Sequence, residues 1–292
     1  MAATSTSIRT EIREQLAYRP ALFRHAIQRR FNRMFKPKPS TLDDVVISLT
    51  SFPQRLPKLH NCIATLLSQS VRAEKVVLYL ARDECSDDII PKRLRRLQSK
   101  GLEIRFVDRN VRSLTKIIYA LEDFPDKMIV TCDDDKFYPI NWLENLITTA
   151  KAHPECIICN RSRQIEFNAE GLTIPYIDWP RNQTSGPNKK ILPMGVGGVA
   201  YPPKSLHRDV LDAGLFLKLC ATSDDLWLKI MSLRQGTKCV QVIPVTDPYT
   251  SIPFWRGRKL SKENIWEGGN DQNWVNLLNH FDLDPVALML DE

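Results

Sequence analysis

Between residues 45 and 159, short apolar runs rich in β-formers alternate with helical segments at even spacing, which leaves few folds open to the chain. The pattern predicts strands over 45–49, 76–80, 104–107, 128–132 and 156–159, and helices over 59–67, 91–97, 114–121 and 142–150. Strands joined through helices by short loops run parallel with right-handed crossovers. The order is Rossmann-like, yet Thr50-Ser51-Phe52-Pro53-Gln54-Arg55 follows the first strand where a dinucleotide site needs Gly-x-Gly-x-x-Gly. A nicotinamide dehydrogenase is therefore disfavoured.

The fourth strand ends in three carboxylates, Asp133-Asp134-Asp135, followed by Phe137-Tyr138-Pro139. Neighbouring carboxylates repel one another, and at least one pKa rises unless a cation is near. A hard divalent ion with oxygen ligands relieves that repulsion. The carboxyl end of a strand in an open α/β sheet is also where ligands bind. A solvated acidic turn would use the same residue types; the position directly after a buried strand favours a metal site.

Beyond residue 160 the pattern loosens. Residues 161–193 carry Pro, Gly and Asn with few periodic apolar positions, and an irregular stretch of that length in a compact domain is usually functional. Then come Met194-Gly195-Val196-Gly197-Gly198-Val199, the helix start Ser223-Asp224-Asp225-Leu226-Trp227, and Asn270-Asp271-Gln272 before a helical 275–278.

Charge divides the chain unevenly. Residues 1–40 hold nine Arg and Lys against Glu11 and Glu14, so this segment carries the whole net charge of +7 and the remainder balances. A neutral body argues against a broad nucleic-acid face. In the arm, Leu16, Leu22, Phe23, Ile27, Phe31, Met34 and Phe35 are interleaved with arginines, which predicts a basic amphipathic helix from Pro20 onward, suited to an anionic membrane surface. Lys36-Pro37-Lys38-Pro39-Ser40 reads as a linker. No apolar run approaches the roughly 20 residues that span a bilayer, and no secretory signal is visible, so the expected location is cytoplasmic, peripheral on the inner face of a membrane. Seven cysteines at irregular spacing read as reduced thiols, and Cys156-x-x-Cys159 lacks the second pair that a zinc ribbon needs.

Three passages carry a family resemblance: residues 47–55 (Ile-Ser-Leu-Thr-Ser-Phe-Pro-Gln-Arg), residues 133–139 (Asp-Asp-Asp-Lys-Phe-Tyr-Pro) and residues 221–227 (Ala-Thr-Ser-Asp-Asp-Leu-Trp). With the glycine-rich 195–203 and the Asn270-Asp271-Gln272 ending, the chain resembles the GT-A glycosyltransferases, most closely bacterial family-2-like and exostosin-like enzymes, over roughly residues 44–280. The resemblance implies an α/β, mostly parallel GT-A sheet flanked by helices behind the basic arm of residues 1–40. It implies a domain over 41–292, with a nucleotide-sugar half at 41–160 and an acceptor half at 161–292.

It also implies metal-dependent transfer from a nucleotide-sugar donor to a saccharide or lipid-linked acceptor, as in cell-surface polysaccharide or lipopolysaccharide synthesis. Asp135 would ligate Mn2+ or Mg2+, while Asp133 would support the metal shell or face the ribose. Asp134 would meet the donor beside Asp133 or else point away, because side chains on successive strand positions alternate. Asp225 would be the general base, with Asp224 a second candidate for base or acceptor contact and Ser223 a cap. Thr50, Ser51, Phe52, Arg55 and Lys116 would meet the donor. Gly197 and Gly198 would let a sugar approach the backbone, and Trp227, Trp179 and Trp255 would offer stacking surfaces. His280 is a further candidate ligand. Lys136 stands where the family has an apolar residue. The competing readings are a sugar nucleotidyltransferase, which needs a Gly-rich phosphate loop that this chain lacks, and a non-catalytic carbohydrate- or membrane-binding protein.

Overall fold

The computed structural model describes residues 16–27, 39–181, 184, 186–244, 249–253, 264 and 268–289. The first described helix, α1, covers 16–27. It already includes the residues before Pro20, so it extends further toward the N-terminus than the sequence predicts. Tertiary packing accounts for the difference: Tyr18 and His25 of α1 lie over the Phe137 ring, with centroids 6.0 and 4.9 Å away.

The alternation then unfolds as expected through β1 (Thr41–Thr50), α2 (Leu56–Leu66), β2 (Arg72–Ala81), α3 (Lys92–Arg95), β3 (Leu102–Val107), α4 (Thr115–Asp123), β4 (Met128–Thr131), α5 (Trp142–Ala152) and β5 (Ile157–Cys159). The second half holds β6 (Ser162–Gln164), β7 (Ile191–Pro193), β8 (Val199–Tyr201), α6 (Ala213–Leu219), α7 (Asp224–Gln235), β9 (Cys239–Gln241), α8 (Gly269–His280) and α9 (Pro285–Met289).

Seven strands form one sheet in the order β3-β2-β1-β4-β8-β5-β9, and β6 pairs with β7 in a small separate ribbon. Every strand of the large sheet is parallel to its fellows except β8, which runs antiparallel between β4 and β5. The fifth predicted strand therefore does not lie beside the fourth. The chain reaches β8 through a tight turn at residues 195–198, where Gly198 has φ +87°, and this turn delivers a strand with no helical crossover.

The central strands are apolar on both sides, as a parallel sheet requires. In β1, Val45, Ile47 and Leu49 join the core beneath α2 and α5, while Val46 joins the opposite core beneath α4. In β2, Val76, Leu78 and Leu80 take the first face and Val77, Tyr79 and Ala81 the second. Helix α7 buries Leu226, Trp227, Leu228, Ile230, Met231 and Leu233, nearly its full circumference. This sandwich brings the ends of β1 and β4, the turn before β8 and the start of α7 to one rim.

Gly197 and Gly198 are spent on the protein's own side chains, a correction to the expected approach of a sugar. A methyl group on Gly198 would lie 2.5 Å from Trp142 Cζ2, and one on Gly197 would lie 2.7 Å from Arg161 Cγ. Trp142 is buried and its Nε1 donates to Gly197 O at 2.8 Å, so the ring cannot retreat cheaply. Gly198→Ala is expected to cost about 2–4 kcal/mol, from the positive φ together with the overpacked ring, read as a lowered denaturation midpoint.

Candidate active site

Strand β1 ends in Thr50, and the next residues turn toward β4. Thr50 Oγ1 donates to Tyr79 O at 2.9 Å, and Ser51 Oγ donates to Asp134 Oδ2 at 2.6 Å. Arg55, ahead of α2, pairs with Asp134 through Nη1 and lies 3.7 Å from Asp135 Oδ2. Its guanidinium also sits 5.0 Å from the centroid of Phe52, a partly exposed ring on the rim. Asp134 is only 5% exposed. Burial, aided by the charge of Asp135, pushes its pKa up to about 6 against the opposing pull of Arg55. Asp134 is thus neither solvated nor turned away from the rim. Strand pairing stops at Thr131, so strand alternation no longer governs residues 133–135.

Asp133 turns the other way. Its Oδ1 lies 3.1 Å from Lys116 Nζ, and its N–H donates to Tyr138 Oη at 2.8 Å. Burial alone would raise its pKa, but Lys116, Lys136 and Arg55 outweigh burial and hold the carboxyl below its usual range. Lys116, buried on α4, also reaches Asp224 Oδ2 at 3.2 Å. Burial would lower the Lys116 pKa, yet Asp224, Asp133 and Asp225 together lift it well above the ordinary lysine value, and the amine stays charged.

Asp225 begins α7 beside this ion pair. Its Oδ1 accepts the Gly195 N–H at 2.9 Å. Burial and the neighbouring Asp224 push its pKa up to about 7, against the opposing effects of Lys116 and the Gly195 amide. A methyl group on Gly195 would lie 3.2 Å from Asp225 Oδ1, 3.3 Å from Lys116 Nζ and 4.0 Å from Asp133 Oδ1. Four stretches of chain therefore converge on one point: the end of β4, the start of α4, the turn before β8 and the start of α7. Gly195 and Tyr138 belong to this arrangement although sequence reasoning did not single them out. The only signal for Gly195 was its membership of the glycine-rich 195–198.

Asp135 faces the cations at the rim. Its Oδ1 lies 3.3 Å from Lys136 Nζ, but that oxygen is buried and accepts no hydrogen bond. A buried, under-coordinated carboxylate oxygen fits a hard divalent cation such as Mn2+ or Mg2+. Charge agrees: among the described residues, five carboxylates (Asp133, Asp134, Asp135, Asp224, Asp225) meet the cations Arg55, Lys116 and Lys136. Among the described residues no three His, Cys, Asp or Glu side chains are placed to hold a metal ion by themselves. Phosphate oxygens and water would have to complete the shell, as is usual for Mg2+.

Three aromatic and histidine candidates sit elsewhere. Trp227 is fully buried, donates from Nε1 to Val210 O at 3.3 Å and packs on Phe216, so it is a core residue and not a stacking platform. Trp179 is likewise enclosed, edge-on to Trp274. For Trp227 this follows from a helix buried nearly all round. His280 ends α8 with its ring edge-on to Phe281, and among the described residues it pairs with none of the five carboxylates. Trp255 lies outside the described residues. All seven cysteines are free thiols.

A mainly parallel sheet with carboxylates gathered on its carboxyl rim is the arrangement that the resemblance to GT-A glycosyltransferases implies. Glycosyl transferase family 2 matches residues 50–212, more than half of the chain, and the chain belongs to that family. No curated protein matches it. Among solved structures it is similar to the mannosyltransferase PcManGT of Pyrobaculum calidifontis in complex with GDP-Man and Mn2+, at 13% identity and TM-score 0.49, over 93% of this chain and 74% of that one. It is also similar to residues 1–349 of TarS from S. aureus, at 13% identity and TM-score 0.47, over 82% of this chain and 66% of that one. The same TarS fragment in complex with UDP-GlcNAc gives 12% identity and TM-score 0.46.

Proposed function

We propose that this glycosyltransferase moves a hexosyl unit from a nucleoside-diphosphate sugar to a hydroxyl of a saccharide or lipid-linked acceptor, with a divalent cation, in the assembly of cell-surface polysaccharide or lipopolysaccharide. The reaction takes place at the cytoplasmic face of a membrane. Residues 41–160 bind the donor and 161–292 the acceptor. The observation that carries this reading is the meeting of Asp225, Lys116 and Asp133 around Gly195, beside the under-coordinated Asp135.

Phe52 offers its partly exposed ring to the donor's base, and Arg55 beneath it brings positive charge toward the phosphates. Asp135, with Asp133 beside it, would hold a divalent cation, and such an ion would supply positive charge against the departing diphosphate. The acceptor oxygen attacks the anomeric carbon as the bond from that carbon to the diphosphate oxygen breaks. Asp225 takes the acceptor's proton. A carboxylate with a pKa near 7 is matched to that task, because it is ionised at working pH and still basic enough to accept the proton. The Gly195 amide fixes the carboxylate's direction. Lys116 ties Asp133 to Asp224, so the donor end and the base end of the site move as one unit.

The test is a donor screen: nucleotide sugars offered singly with Mn2+, with released nucleoside diphosphate measured. One donor is expected to be hydrolysed well above the others, and chelation of the metal is expected to stop it. No release from any donor would overturn the proposal.

A further inference from the structure

Helix α1 is apolar on two opposite sides. Tyr18, Ala21, Leu22 and His25 face the body, where Ala21 is buried and Asn61 Nδ2 donates to Tyr18 Oη at 3.3 Å. Leu16, Phe23 and Ile27 recur at i, i+7 and i+11 and form one stripe on the far side. They are 72%, 69% and 53% exposed, although the chain's other large apolar side chains are mostly buried. Arg19 and Arg24, both exposed, border the stripe on either side. The body adds cations. Arg93 of α3 is exposed. Lys92 and Arg96 of α3 are exposed as well.

We infer that the outer side of α1 docks on an anionic lipid bilayer. The stripe is one helix wide and lined by guanidinium groups along both edges. A helix lying in the plane of a membrane has this layout: apolar side chains enter the acyl boundary while arginines stay at phosphate level. The surrounding segment of residues 1–40, with nine Lys and Arg against two acids, adds attraction to an anionic surface.

Docking there fixes the site as well as the chain. His25 of α1 stacks on Phe137 at 4.9 Å and 11°, two residues beyond Asp135. The rim would be held at the membrane surface, where a lipid-linked acceptor presents its head group; this placement of the acceptor rests on the function proposed above, whereas the lipid contact does not.

Co-sedimentation of the full chain with vesicles tests the inference, using phosphatidylcholine alone and a phosphatidylcholine–phosphatidylglycerol mixture. The unaltered chain is expected to bind the mixture and not the neutral vesicles. Leu16→Ser, Phe23→Ser and Ile27→Ser combined, and separately Arg19→Gln with Arg24→Gln, are each expected to weaken binding by about tenfold or more. Leu172→Ser, which alters an apolar side chain 63% exposed on the loop after β6, is expected to bind like the unaltered chain. Thermal melts confirm that each variant is folded. Unchanged binding by the triple variant, equal binding to both vesicle types, or no binding by the unaltered chain overturns the docking face. Selective vesicle binding by a chain that hydrolyses no donor supports this face and counts against the transfer chemistry.

Discussion

Asp225→Asn is expected to cut transfer by roughly 10²–10⁴-fold, the usual contribution of a general base, and yet to melt at a higher temperature than the unaltered chain at pH 8. The two effects share one cause. Asp225 is held among Asp224, Asp133 and Lys116, with its pKa raised to about 7 by burial and by Asp224. In the unfolded chain the same carboxyl titrates near 3.9. Between these values the folded chain keeps a proton that the unfolded chain has released, so the contribution of Asp225 to stability falls as pH rises through about 7. At pH 8 the full penalty is present, and the neutral asparagine removes it while still accepting the Gly195 N–H. At pH 5, well below the folded value and only a little above the unfolded one, most of that penalty is absent, and the two proteins should differ much less in melting temperature. The unaltered enzyme should show kcat/KM rising with pH to a plateau above an apparent pKa near 7. Transfer assays and thermal melts at the two pH values check the account; near-normal transfer, or a lower melting temperature at pH 8, contradicts it.

Adjacent aspartates are expected to give opposite phenotypes. Asp135→Ala should lower donor hydrolysis by about 100-fold or more, as loss of the cation's charge stabilisation would, and should abolish any response to Mn2+. Its fold should survive. Lys136 Nζ keeps the Ser251 Oγ contact at 2.8 Å, and Arg55 keeps Asp134, so no buried charge is orphaned. Asp134→Ala should do the reverse. Ser51 Oγ and Arg55 both lose their acceptor in a largely closed setting. The expected cost is about 2 kcal/mol, reduced from the fully buried case because Arg55 is partly exposed. Denaturant unfolding of the two variants separates the roles, and comparable destabilisation in both would refute the assignment.

The fold was largely legible because its nucleotide-side half repeats one simple pattern. Runs such as Val76 to Leu80 are too short for helices and too apolar for loops; the first three lie within strands of the structure, and the other two overrun β4 and β5 by one residue each. Strand β8 was hidden because Val199-Ala200-Tyr201 is only three residues long and follows a turn instead of a helix. The acidic residues of the site could be read from their positions after β4 and at the start of α7, but their directions could not. Asp134 turns toward Ser51 and Arg55 because the strand has already ended, a fact fixed by pairing with β8 and invisible in composition. Trp227 was expected at a sugar and lies in the core, since α7 is buried nearly all round and its apolar side chains leave no wet face at that position. Gly195 carried only the weak signal of a glycine-rich stretch: its importance comes from the two carboxylates and the ammonium that three other segments bring against it.

The most direct measurement is the melting temperature of the full chain with Mn2+, with a panel of nucleoside diphosphates, and with each diphosphate plus Mn2+. A ligand that binds only the folded state raises that temperature. The account predicts that one diphosphate stabilises the protein strongly, only when Mn2+ is present, and that Asp135→Ala erases the effect. Stabilisation that is the same with and without the metal, or that persists in Asp135→Ala, would contradict it.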